Sequence, residues 1–281
     1  MTPMSRIILL ISCPDETGLI ARITGVLHRH GGNIVENGEY VDPDHRRFFM
    51  RTAVEGVSDI DLLERVLKTE LPKEAEVRIS AQERKNVVLM ATTEPHCLGD
   101  LLIRASFGDL PMNVQGVIAN HGTLRQLTQS FDVPFHEVTA AGLSREEHEA
   151  NVMEILDREQ PDLIVMAKYM RILTSGFIQR YPSRILNIHH SFLPAFIGAN
   201  PYRQAWERGV KIIGATAHFA SEDLDEGPII AQDVIPVTHS HGPKEMARNG
   251  RDVEKRVLAR AVRFVLEDRV VVTGNKTIIF E

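Results

Sequence analysis

Three side chains in this sequence have types and spacing suited to joint chemistry: Asn187, His189 and Asp225. Asn187 and His189 sit in the short apolar run Ile185-Leu-Asn-Ile-His189, which predicts a buried strand. Residues two apart on a strand project from one face, so the amide and the imidazole point the same way. Asp225 follows a second apolar run, 212–220, in a loop bounded by Gly227 and Pro228. Together the three offer a donor for a developing oxyanion, a proton carrier, and a carboxylate to orient that carrier. Spacing alone leaves the ordinary alternative open, in which a strand histidine serves only its own surroundings. His190 is expected on the opposite face, in a structural role.

The longer pattern narrows the choice. Asn187-Ile-His-His-Ser-Phe-Leu-Pro194 resembles the Asn-x-His-x-Ser-Leu-Leu-Pro signature of the folate-dependent formyltransferases. His218 and Asp225 fall where that family carries its second histidine and its aspartate. Ala167-Lys-Tyr-Met-Arg-Ile-Leu173 resembles the family's folate-cleft segment, and Ser191–Tyr202 is most similar to the family's deformylase members. The resemblance covers nearly the whole chain.

It implies hydrolysis of 10-formyltetrahydrofolate to formate and tetrahydrofolate, supplying formate for purine synthesis and balancing one-carbon pools. Folate is then the substrate, with no separate cofactor and no metal. By the same resemblance Asn187 and His189 stabilise the oxyanion, and Asp225 orients water and His189. Met170, Arg171 and Leu173 would line the pterin cleft, with Ala220, Ser221 and Glu222 in the loop facing it. Two readings stand for His218, a border of the folate site or a satisfied core histidine. Arg171 has the plain alternative of a surface cation.

One departure bears on the acceptor. Glycinamide ribonucleotide formyltransferases open this domain with a Gly/Ser-rich loop whose backbone N–H groups cradle a phosphate. Here that place reads Ala91-Thr-Thr-Glu-Pro-His-Cys-Leu-Gly99, without those glycines and with Glu94 to repel an anion. Water is the expected acceptor. The rival is a formyltransferase serving an unidentified amine; a non-catalytic folate or amino-acid sensor is a second, against which the presence of all three side chains weighs.

Other constellations carry less. His96-Cys97 suggests a thiol nucleophile pair, but adjacent residues rarely face each other, and His239 and His241 offer metal-ligand spacing in what reads as a solvated loop. Gly99, Gly108 and Gly116 make no dinucleotide fingerprint. A net charge of −6 without a Lys/Arg block argues against a nucleic-acid surface. No apolar run approaches the roughly 20 residues that span a bilayer. Two cysteines make no disulfide framework, which fits a reducing cytoplasm.

The elements that must position these residues fall into two blocks. Residues 1–81 read as β-α-β-β-α-β, the ferredoxin-like plan, with a helical face of Leu19, Ile23, Val26 and Leu27 and a second helix opened by Ser58 with Asp61. This block resembles the ACT domain, a small regulatory module that commonly binds amino acids. Asp15, Gly18, Leu19, Asn33 and Ile34 stand where that family's ligand loop and turn stand. The resemblance implies a glycine or methionine effector and a homo-oligomer, while the glycines have the simpler reading of permitting turns. Residues 82–86 are expected as a linker. Residues 87–281 alternate strand and helix, which predicts a mostly parallel, doubly wound α/β domain of the formyltransferase type with ligands beyond the strands' carboxyl ends.

Overall fold

A computed structural model describes residues 6–195 and 201–281; the 196–200 part of the Ser191–Tyr202 motif lies outside them. The chain divides into one unit of 1–83 with 280–281 and another of 84–279. Lys85 and Asn86, read as linker, already belong to a strand of the second unit.

The first unit runs β1 (Ile7–Pro14), α1 (Leu19–Arg29), β2 (Asn33–Asp42), β3 (Arg47–Glu55), α2 (Ile60–Glu70) and β4 (Glu76–Ala81). Its sheet has the order β2-β3-β1-β4, with every neighbour antiparallel. Leu19, Ile23, Val26 and Leu27 are the buried face of α1 and pack on Ile7, Leu9 and Ile11 of β1. The cap of α2 is Asp59, not Ser58: its carboxylate accepts from Leu62 N–H at 2.8 Å. Both residue types cap well, and Asp59 is the one in extended backbone immediately before the helix.

The second unit runs β5 (Lys85–Ala91), α3 (Pro95–Ser106), β6 (Met112–Ala119), α4 (Arg125–Gln129), β7 (Phe135–Glu137), α5 (Arg145–Glu159), β8 (Leu163–Met166), α6 (Ser175–Arg180), β9 (Ile185–His189), α7 (Pro201–Arg208), β10 (Ile212–Phe219), β11 (Ile229–Pro236), α8 (Pro243–Leu266), β12 (Val270–Thr273) and β13 (Lys276–Ile279). Seven strands form a sheet in the order β11-β10-β9-β8-β5-β6-β7. The pairs from β9 to β7 are parallel, and β10 is antiparallel to both neighbours.

Strand alternation splits β5 between two cores. Val87, Leu89 and Ala91 pack with Leu98 and Leu101 of α3 and Val257 and Leu258 of α8. Val88 and Met90 pack with Val152 and Leu156 of α5 and Phe177 of α6. Helices therefore cover both faces, as the sequence predicts. The chain leaves β5 toward β7 and returns to β8 on the other side of β5. The carboxyl ends of β5 and β8 thus flank a topological switch point, where such sheets bind ligands.

Candidate active site

Leu186 and Ile188 of β9 enter the core shared with α3 and α8. By alternation Asn187 and His189 face the other way, at the strand's carboxyl end. β10 runs beside β9 in antiparallel register and sets His218 opposite Asn187. The loop between β10 and β11 brings back Asp225, which sits at φ 59°, in the left-handed region that favours short polar side chains among non-glycines.

These four side chains meet. His189 Nδ1 lies 3.1 Å from Asp225 Oδ2, and His218 Nε2 lies 3.7 Å from Asp225 Oδ1. His218 Nδ1–H donates to the Phe219 carbonyl at 2.9 Å, and Asn187 Nδ2 lies 3.2 Å from His218 Nε2. With its Nδ1 proton so used, neutral His218 accepts from the Asn187 amide. One N–H of that amide is then engaged and the second is left for a ligand. His218 is thus a buried histidine with both ring nitrogens engaged, and it lies beside Asn187 and Asp225. Burial raises the Asp225 pKa, but the hydrogen bond from His189, with the His218 ring beside the other oxygen, outweighs it and holds the carboxyl well below its ordinary 3.8. His189 is 5% exposed and its Nε2 has no partner.

A cavity of about 270 Å³ opens on this cluster. Met170, Arg171, Leu173, Ala220, Ser221 and Glu222 line it together with Asn187, His189, His218 and Asp225, so every residue expected at the folate site is gathered there. The 168–174 loop that forms one wall is pinned at both ends. Met170 N–H donates to Thr92 Oγ1 at 3.0 Å, and Thr174 N–H donates to Glu149 Oε1 at 2.8 Å, with the Thr174 hydroxyl on the same carboxylate. Glu149 is buried, and Thr174 in turn caps α6.

His190 departs from expectation. It lines the cavity, its ring 5.2 Å from that of His189 and 6.1 Å from that of Tyr202. β9 ends at His189, so strand alternation no longer governs the next residue. Sequence reasoning also passed over Lys168, a lysine in an apolar run that is 4% exposed and lines the cavity. That interruption was the available signal. His96 and Cys97, expected not to face each other, do come close: a His96 ring nitrogen, the Cys97 sulfur and a Glu254 oxygen lie within 4.8 Å of one another, while burial holds the Cys97 thiol well above its ordinary pKa.

In the first unit Leu19 and Ile34 pack into the hydrophobic core, while Asp15, Gly18 and Asn33 are exposed. Gly18 has φ 89° and stands at the start of α1. Two of the five residues expected to hold an effector are thus committed to packing.

The ACT domain profile matches residues 7–71, and the Formyl transferase profile matches 85–262. Formyltetrahydrofolate deformylase of Escherichia coli K12 is 52% identical over 279 residues, 99% of this chain and 100% of its own length. The chain belongs to the formyltetrahydrofolate deformylase family. The Bacillus subtilis deformylase is 43% identical over 97% of this chain and 93% of its own. A crystal structure of the Pseudomonas syringae deformylase superposes with a TM-score of 0.95 at 41% identity, covering 100% of this chain and 96% of that one. Glycinamide ribonucleotide transformylase 1 of Symbiobacterium toebii superposes over only 73% of this chain, with a TM-score of 0.69 at 30% identity. Among these relatives the deformylases match both units.

Proposed function

We propose that this chain hydrolyses 10-formyltetrahydrofolate to tetrahydrofolate and formate. Water adds to the formyl carbon, forming a C–O bond; the C–N bond then breaks and the folate nitrogen takes a proton. The free N–H of Asn187 and the ring of His189 face the developing oxyanion, and Asp225 fixes the ring and directs the water. The observation that supports these roles best is the unpartnered, buried Nε2 of His189, opposite the nitrogen that Asp225 engages. Loss of one oxyanion donor of this kind costs on the order of 10² to 10³ in rate. No step needs a cofactor or metal. Incubating the protein with 10-formyltetrahydrofolate and no amine is the test: stoichiometric formate supports hydrolysis, and consumption only when an amine is added supports transfer instead.

The first unit is proposed to bind a small amino acid, glycine or methionine, and to join copies of the chain into a homo-oligomer that works in the cytoplasm. The ACT match and the exposed Gly18 turn support the binding role. No helix among the described residues is long and apolar enough to cross a membrane. Titration of each amino acid against rate and melting temperature, without change in either, would remove the regulatory reading.

A further inference from the structure

The cleft has a second charged feature, beside the Asn187–His189–Asp225 cluster. Lys168 follows β8 at the switch point and is almost fully buried, and lysine is rarely so unless paired. Its backbone lies at φ 64°, a conformation costly for a long side chain that persists where its surroundings enforce it. Lys168 is among the residues that line the cavity with His189 and His190, and its charge acts on the His190 ring.

Its partner is Glu254 of α8, 1% exposed, with Oε2 3.3 Å from Lys168 Nζ. Lys168 is one of several partners of Glu254. It also accepts from His96 Nε2 at 2.8 Å and from the Tyr202 hydroxyl. Gly250 makes room for that hydroxyl, since a Cβ there would lie 2.0 Å from it. Burial works against the carboxylate, but His96, Lys168 and Tyr202 hold its pKa down at about 2. The ammonium, by contrast, has three donors, which one carboxylate oxygen cannot use.

We propose that Lys168, held in place by Glu254, is the formate subsite: its ammonium receives the carboxylate product and stabilises the negative charge that precedes it. This deepens the hydrolytic reading and rests on it. Stability is a weak reason for the charge, because a buried ion pair is commonly no better than apolar side chains of similar volume. The reaction does create an anion in this cavity. Asp225 is itself anionic and is engaged by His189 and His218, so it offers the product repulsion. His190 brings no charge, because burial and the Lys168 ammonium push its pKa down to about 4. Two cations line the cavity, Lys168 and the partly exposed Arg171, and Lys168 is the buried one, placed to meet a small carboxylate.

The test measures formate as a product inhibitor of the full-length protein. Wild type is expected to be inhibited by formate. Lys168→Met should raise the formate Ki tenfold or more and lower kcat on the order of 10²-fold, with KM for the folate changed less than about threefold. Because Lys168→Met leaves Glu254 without its ammonium, the neutral pair Lys168→Met/Glu254→Gln is measured alongside and should show the same loss of formate inhibition. Titration of wild type with ¹³C-formate in the presence of tetrahydrofolate covers the case in which neither variant folds, and saturable binding is expected. An unchanged formate Ki in either folded variant, or no saturable formate binding to wild type, would overturn the subsite. A wild type that binds formate but releases none from 10-formyltetrahydrofolate would instead defeat the hydrolytic reading.

Discussion

His189 and Asp225 are joined through one imidazole nitrogen, Nδ1 at 3.1 Å from Oδ2, and this leaves the other nitrogen buried and unpartnered in the cleft. A carboxylate so placed fixes the tautomer and the orientation of the ring. Asp225→Asn keeps the size and loses the charge. It should lower kcat by roughly 10²-fold or more while the KM for folate stays within a few-fold. Steady-state formate release measures both; near wild-type turnover would mean that Asp225 only shapes the loop.

The cleft loop makes a separate prediction. Glu149 accepts from both the amide and the hydroxyl of Thr174, and a hydrogen bond to a charged group contributes about 1.5 to 3 kcal/mol. Glu149→Gln weakens that pin without touching the reacting groups. KM should rise by roughly tenfold with kcat nearly unchanged, because the loop lines the binding cleft and not the proton path. A fall in kcat at constant KM would place Glu149 in the chemistry instead.

Stability should depend on pH through His190, whose pKa falls from 6.5 to about 4, mainly by burial and then by the Lys168 charge. Below pH 6.5 the unfolded chain takes up a proton that the folded chain refuses until about pH 4. The unfolded state binds more protons across that window, so stability falls as pH is lowered through it. His190→Asn removes this contribution. Urea midpoints at about pH 7 and about pH 5 should drop more for wild type than for the variant, and equal drops would contradict the assignment.

Much of this site was legible in the chain, for identifiable reasons. Asn187 and His189 obey strand alternation, and Leu19, Ile23, Val26 and Leu27 obey the helical period that buries one face of α1. The pattern stopped informing where its period stopped. His190 lies one residue past the end of β9, so alternation misplaced it. Lys168 carries no spacing partner in sequence, and its meaning comes from Glu254, 86 residues on in α8. β7 has three residues and α7 has eight, too short for periodicity to declare either.

Gly250 is a position where a single methyl group should matter. The Tyr202 hydroxyl occupies the space a side chain would need, 2.0 Å from where a Cβ would stand. Gly250→Ala must displace Tyr202 from Glu254, at a cost of about 1 to 3 kcal/mol for overpacking. The melting temperature should fall by roughly 2 to 10 °C. An unchanged melting temperature would show that the ring moves aside freely.

Passage of the formyl group to water within one cleft is what every role assigned to Asn187, His189 and Asp225 depends on. Single-turnover reaction in H₂¹⁸O, without any amine, tests it most directly. Hydrolysis predicts formate carrying one ¹⁸O atom, in equal amount to the tetrahydrofolate formed. Unlabelled formate, or tetrahydrofolate formed without formate, would contradict it.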